Sequence, residues 1–209
     1  MKIIDISWPI SEEMTAYKNK KTVVLTPLKH FEVDHVRETL ITMGSHTGTH
    51  VDAPAHFVEK GKVMTEVPLS SLIGKAVVLD LVSSTQVITV EDIMCKKDLI
   101  QQHDIVLLKA NVGNGGEKSP FDAQFSYLSS EAAKVLIAMN IKAVGIDYLG
   151  IERDQKNHPT HHLFFKNEIP IIEGLRLGHV QEGRYTCVCL PLFIEGIEAA
   201  PARAILWKE

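Results

Sequence analysis

The stretch Ser129-Ser130-Glu131-Ala132-Ala133-Lys134-Val135-Leu136-Ile137-Ala138-Met139-Asn140-Ile141-Lys142-Ala143-Val144-Gly145-Ile146-Asp147 decides the fold class. Its first half places Ala132, Val135, Leu136 and Met139 at i, i+3, i+4 and i+7, the spacing of one helix face, behind a serine start. Its second half, Ala143 to Asp147, is an apolar run of strand length. A helix followed at once by a strand is the repeating unit of an α/β domain. Working outward, runs rich in Val, Ile and Leu at residues 2–7, 22–30, 35–46, 76–82, 104–110, 142–147, 186–193 and 202–207 predict strands. Helical patterns are fewer. Thr89-Val90-Glu91-Asp92 is a capping-box-like start that leads into Ile93 and Met94. The expectation is a mixed α/β fold with more strand than helix.

Composition narrows the function classes. The chain has 209 residues, 45% hydrophobic and 23% charged, which suits one substantial globular domain. The net charge of −4, without a basic block, argues against binding nucleic acid through its phosphates. No apolar run reaches the roughly 20 residues that span a bilayer, and Met1 to Ile6 reads as a strand rather than a signal peptide. Cys95, Cys187 and Cys189 show no CxxC spacing. Cys187 and Cys189 share one strand face and read as core thiols, which points to a reduced, cytoplasmic setting. The loop Asn111 to Pro120 is rich in glycine but lacks the G-K-[ST] ending of a phosphate loop. It reads as a surface loop near the active site.

Histidine is the anomaly. There are 10, and three fall in His46-Thr47-Gly48-Thr49-His50-Val51-Asp52-Ala53-Pro54-Ala55-His56. His46, His50, Asp52 and His56 all sit at even positions, so an extended chain turns them to one side. Three imidazoles and a carboxylate suit a divalent transition metal. At roughly 3.3 Å per residue, His46 and His50 lie about 13 Å apart in a straight strand, too far to share an ion comfortably. The chain must therefore bend, and Gly48 is the midpoint. A helix is disfavoured by Gly48, Thr49, Val51 and Pro54. The expectation is a bent strand ending at Pro54, with His56 just beyond.

A second cluster, His158, His161 and His162, is followed by Glu168 and Glu173. Both acids read equally as solvated loop charges by composition. Glu173 follows Ile171-Ile172, however, where a buried carboxylate needs a cationic partner or a metal. With one of these histidines it supplies donors for a second ion, and Asp52 is placed to bridge two ions about 3.5–4 Å apart.

These residues carry a family resemblance. The chain resembles the cyclase-like metal-dependent hydrolases, including bacterial kynurenine formamidases. His46, Gly48, Thr49, His50, Asp52, Pro54 and His56 match H-x-G-T-H-x-D-x-P-x-H in full. His161-His162-Leu163-Phe164-Phe165 with Glu173 is similar to the downstream signature, and Asp5-Ile6-Ser7, Tyr127-Leu128-Ser129, Gly145-Ile146-Asp147 and Pro201-Ala202-Arg203 also fit. The resemblance implies one swivelling β/β/α domain over residues 1–209, a barrel-like sheet flanked by a few helices. It implies His46, His50 and Asp52 as ligands of one metal, Asp52, His161 and Glu173 as ligands of a second, and His56 as the catalytic histidine. Zinc is the leading ion and manganese the alternative, one or two per chain. The implied reaction is hydrolysis of a small amide, N-formylkynurenine to kynurenine and formate, by metal-bound water with His56 as general base and acid. A single-metal hydrolase of a cyclic amide or lactone, like isatin hydrolase, and a non-catalytic metal-binding protein are the alternatives. The implied partners are the small-molecule substrate and further copies of the chain, as a dimer or tetramer. Two departures stand out. Ala16-Tyr17-Lys18-Asn19 replaces an aromatic-Pro-Gly turn that shapes the pocket, and Ala110 stands where Thr is common.

Overall fold

The structure is a computed structural model and describes residues 2–82, 86–111 and 116–208. Among those residues the strands are β1 (Ile3–Asp5), β2 (Val24–Lys29), β3 (Glu38–Thr42), β4 (His50–Asp52), β5 (Ile73–Asp80), β6 (Val87–Ile88), β7 (Ile105–Lys109), β8 (Tyr127–Leu128), β9 (Ala143–Ile146), β10 (Ile171–Glu173), β11 (Gly183–Pro191) and β12 (Ala199–Trp207). The α-helices are α1 (Phe31–Asp34), α2 (Leu69–Leu72), α3 (Val90–Cys95), α4 (Ser130–Ala138) and α5 (Pro159–Lys166). None is long and apolar enough to cross a membrane.

Eight strands form one sheet in the order β1-β12-β11-β5-β7-β9-β10-β4. β4 also pairs with β12, Asp52 opposite Ala199 and His50 opposite Pro201, so seven strands close into a barrel. One edge of β12 is shared: residues 199–201 pair with β4 and residues 205–207 with β1. β5, β7, β9 and β10 run parallel. Side chains of such strands meet packed layers on both faces, which is why residues 105–108 read as a continuous apolar run. Ile105 and Leu107 lie in an inner cluster with Ala76, Val78 and Ile172. Val106 and Leu108 lie in an outer cluster with Ile93 of α3, Leu136 of α4 and Phe164 of α5. The mixed, strand-rich α/β architecture expected from the sequence is the one that forms.

Local signals act as read. Ser129 caps α4 by accepting from Ala132 N at 3.2 Å. Thr89 and Asp92 make the reciprocal capping box of α3, at 2.8 and 3.3 Å. Cys187 and Cys189 are buried core thiols. The Ala110 departure leaves the backbone contact intact, since Ala110 N donates to Asp147 Oδ1 at 2.9 Å.

One reading needs correction, and two elements lie outside the sequence expectations. The strand at the histidine motif covers only His50–Asp52. His46 lies in the preceding bend, because Gly48 at φ +61° turns the chain out of the extended conformation, and Pro54–His56 form a 3₁₀ turn. The second histidine cluster forms a helix, α5, with Pro159 at the first helical position, where its missing N–H costs nothing. β10 is a strand of three residues, too short to show a period. Of the Asn111–Pro120 loop, residues 112–115 lie outside the described residues; the remainder packs against the N-terminal turn at Thr15.

Candidate metal centre

Register delivers the first three side chains. On β4, His50 and Asp52 are two residues apart and share a face. On β10, Glu173 stands directly opposite His50, on the same face as its cross-strand neighbour. α5 brings His161 from the outer layer, the Gly48 bend returns His46, and the 3₁₀ turn presents His56. All six expected site residues therefore converge. His162 does not join them, and its ring faces Phe57, 5.9 Å between centroids.

Asp52 sits at the centre. His46 Nδ1 lies 2.9 Å and His50 Nε2 3.4 Å from Asp52 Oδ1, and His161 Nε2 lies 3.9 Å from Asp52 Oδ2. Glu173 spans the same pair of histidines, with Oε2 3.6 Å from His50 Nε2 and Oε1 3.5 Å from His161 Nε2. Among the described residues, His50 Nε2 and both Asp52 oxygens are buried without an aligned hydrogen-bond partner. Orphaned polar atoms of this kind are expensive in a folded interior. A divalent cation among nitrogen and oxygen donors resolves them, so the residues fit one. Donor atoms within 4.8 Å of one another form the sets His46/Asp52/His56, His50/Asp52/Glu173 and Glu152/His158/His161.

The outer ring nitrogens sort the histidines. His46 Nε2 faces Glu198 Oε1 at 3.2 Å, and Ser45 Oγ donates to the same oxygen at 2.6 Å. His50 Nδ1 donates to the Gly48 carbonyl at 2.9 Å. His161 Nδ1 is hydrogen-bonded to Glu152, whose other oxygen accepts from Thr160 N at 2.6 Å. An acceptor on the far nitrogen fixes the tautomer and turns the near lone pair inward, the usual arrangement behind metal-binding imidazoles. Among the described residues His56 makes no such hydrogen bond; its ring stacks near His46, 4.2 Å between centroids. Glu152 and Glu198 were missed from sequence. Glu152 follows Ile151 and Glu198 follows Ile197, as Glu173 follows Ile172, so the same apolar-neighbour signal was present for both.

Charge follows this geometry. Burial opposes protonation of His50, but Asp52 and Glu173 outweigh it and push the imidazole up to about 9. Burial likewise opposes His161, and Glu152 and Glu173 push it up to about 10. Burial also works against ionisation of Asp52, yet His50 and His46 hold the carboxyl well below its usual range. His56 moves the other way, lowered chiefly by burial and kept neutral. An unfolded histidine titrates near 6.5. Stability from the two raised histidines is therefore fully present below pH about 6.5 and is lost as pH climbs through about 9 to 10. Metal-stripped protein should show a thermal midpoint that falls across this window, and His161→Gln should flatten the fall. An equal slope in the variant would show that other groups cause it.

Comparison with known proteins places this barrel in a family. The family model described as "Putative cyclase" matches residues 4–153, and the chain belongs to that family. A kynurenine formamidase of Bacillus cytotoxicus is 31% identical over 211 residues, covering 97% of this chain and 96% of that one. A solved structure described as a predicted metal-dependent hydrolase from Bacillus stearothermophilus is 42% identical, covers 98% of this chain and 97% of its own, and has a TM-score of 0.85. Isatin hydrolase A from Labrenzia aggregata, at 21% identity over 98% of this chain and 93% of its own, has a TM-score of 0.81, a likeness of fold alone.

Proposed function

We propose that this chain is a metal-dependent hydrolase of a small amide, with an N-formyl aryl amide such as N-formylkynurenine as lead substrate. The observation that supports it best is the asymmetry among the histidines. His46, His50 and His161 have their outer nitrogens tied to acceptors, as ligands do, and among the described residues His56 is left untied at the cavity, where burial lowers its pKa. His46, His50 and Asp52 would hold one ion, and Asp52, His161 and Glu173 a second. Zinc or manganese suits these donors. A bound cation supplies Lewis-acid polarisation of the scissile carbonyl and acidifies water. His56 takes the proton of the attacking water and returns it to the leaving nitrogen, so formamide and water become formate and free amine.

His56→Ala should lower turnover about 10²–10⁴-fold, the usual worth of a general base, with metal content per chain unchanged. Because His56 also lies within ligand distance of His46 and Asp52, loss of metal in this variant would make it a ligand instead. The direct test of activity is hydrolysis of N-formylkynurenine, isatin and small lactones by zinc- or manganese-loaded protein. Turnover of isatin or a lactone alone would favour the cyclic-amide reading.

The same reading makes the protein a homo-oligomer, a dimer or tetramer. Its support is the β2–β3 ribbon, which leaves Val24, Leu28, Phe31, Val33, Leu40 and Ile41 exposed. A two-stranded ribbon is marginal on its own, and a second copy would cover it. Sedimentation equilibrium at micromolar concentration should give at least twice the 23.2 kDa chain mass, and a monomer would overturn this.

A further inference from the structure

The cavity above the centre has a volume of about 480 Å³, within the range of small-molecule sites. Its floor is the histidine–carboxylate cluster. Met14, Val23, Phe57 and Leu149 give apolar sides, and the outer wall is the turn from Tyr17 to Lys21. That wall carries Lys18, Lys20 and Lys21. Two further acids face the same space outside the floor and Glu152: Asp154 lies 4.0 Å from Lys18, and Glu12, which keeps its charge, is held toward the chain by Leu25 N, which donates to its Oε1 at 2.9 Å. Glu152 is taken up by His161 and Thr160. Lys20 and Lys21 have no carboxylate within 4.0 Å among the described residues.

The turn is built rather than loose. Thr15 N donates to Glu117 O at 2.8 Å, and Thr15 Oγ1 to Ser119 O at 2.8 Å. Asn19 Oδ1 accepts from Phe121 N at 2.9 Å, and the Tyr17 and Phe121 rings meet edge to face at 5.0 Å. Lys18 and Asn19 both hold left-handed backbone, at φ 51° and 57°. Consecutive non-glycine residues in that region persist only where surrounding contacts over-determine them. The lysine-bearing backbone is thus held in place beside an apolar slot.

We propose that the cavity selects amides carrying an anionic group, such as a carboxylate on the aryl ring, which Lys20 and Lys21 hold at the outer wall. The inference rests on the amide-hydrolase reading of the floor, and the test separates the two. Metal-loaded protein is assayed on N-formylaniline and on N-formyl-3-aminobenzoate. The ratio of kcat/KM, anionic over neutral, should be about fivefold or more at low salt, from two exposed charge pairs. It should fall toward one in the double variant Lys20→Gln/Lys21→Gln and at about 0.5 M salt, where screening is strong, with the change carried by KM. A ratio at or below one, or one that the double variant leaves unmoved, overturns the inference while leaving the hydrolase reading intact. If neither formamide is hydrolysed, that reading fails on its own. Calorimetry of benzenesulfonate against its neutral isostere methyl phenyl sulfone then decides. Sulfonate binding weakened about fivefold by the double variant supports the lysine wall, and equal binding in both proteins rejects it.

Discussion

Asp52→Asn strips the proposed centre of its metal and lowers turnover by more than 10²-fold, beyond the 10- to 100-fold typical when only an outer hydrogen-bond partner is removed. The reason is position. Oδ1 faces His46 and His50, and Oδ2 faces His161, so a single carboxylate serves both sets of donors. Asparagine keeps the shape but has no charge and turns an N–H₂ toward one set. The barrel should survive, because β4 is held by backbone pairing to β10 and β12 rather than by this side chain. Atomic-absorption metal content and far-ultraviolet circular dichroism on the same sample check both halves. Full metal occupancy in the folded variant would remove Asp52 from the site.

Gly174→Ala destabilises the fold by on the order of 4 kcal/mol, combining left-handed backbone strain with overpacking. Gly174 has φ +69°, and a Cβ there would lie 2.2 Å from the Gly48 carbonyl oxygen and 3.1 Å from Thr49 N. These are backbone atoms and cannot swing aside. The two glycine bends are further tied by Thr49, whose Oγ1 donates to Gly174 O at 2.6 Å and accepts from Trp8 N at 2.7 Å. Since Gly48 carries the bend that returns His46, and its carbonyl also holds His50 Nδ1, the variant should weaken metal affinity together with the urea midpoint. Equal urea midpoints would show that the bends can separate at little energy.

The parts of this structure that sequence reveals are those with local causes. Ser129 and Thr89 announce helix starts through hydrogen bonds three residues away, and residues 105–108 announce a doubly covered strand through unbroken apolar character. Five of the six candidate residues were legible because His46, His50, Asp52 and His56 are close in sequence and because Glu173 sits where an isolated charge is costly; His161 was singled out from its cluster by the family resemblance alone. The rest depends on long-range closure. Nothing within Pro159–Lys166 distinguishes a short helix from a histidine-rich loop, and Glu198 reaches His46 only because β12 pairs with β4. The even-numbered spacing led to residues that do converge, through a geometry only partly right, since His46 arrives by a reversal of the chain and not along a strand.

The double pairing of β12 has a consequence for how the molecule is made. β4 lies between β10 and β12, so the strand that carries His50 and Asp52 gains its second neighbour only when residues 199–201 arrive, about 150 positions later. During synthesis, at about 5–20 residues per second, roughly 8–30 seconds separate the appearance of His50 and Asp52 from the closure that fixes them. Throughout that interval the parallel strands have an open edge. On the proposed reading of the centre, a stable grip on metal is therefore a late event that follows the β4–β12 closure.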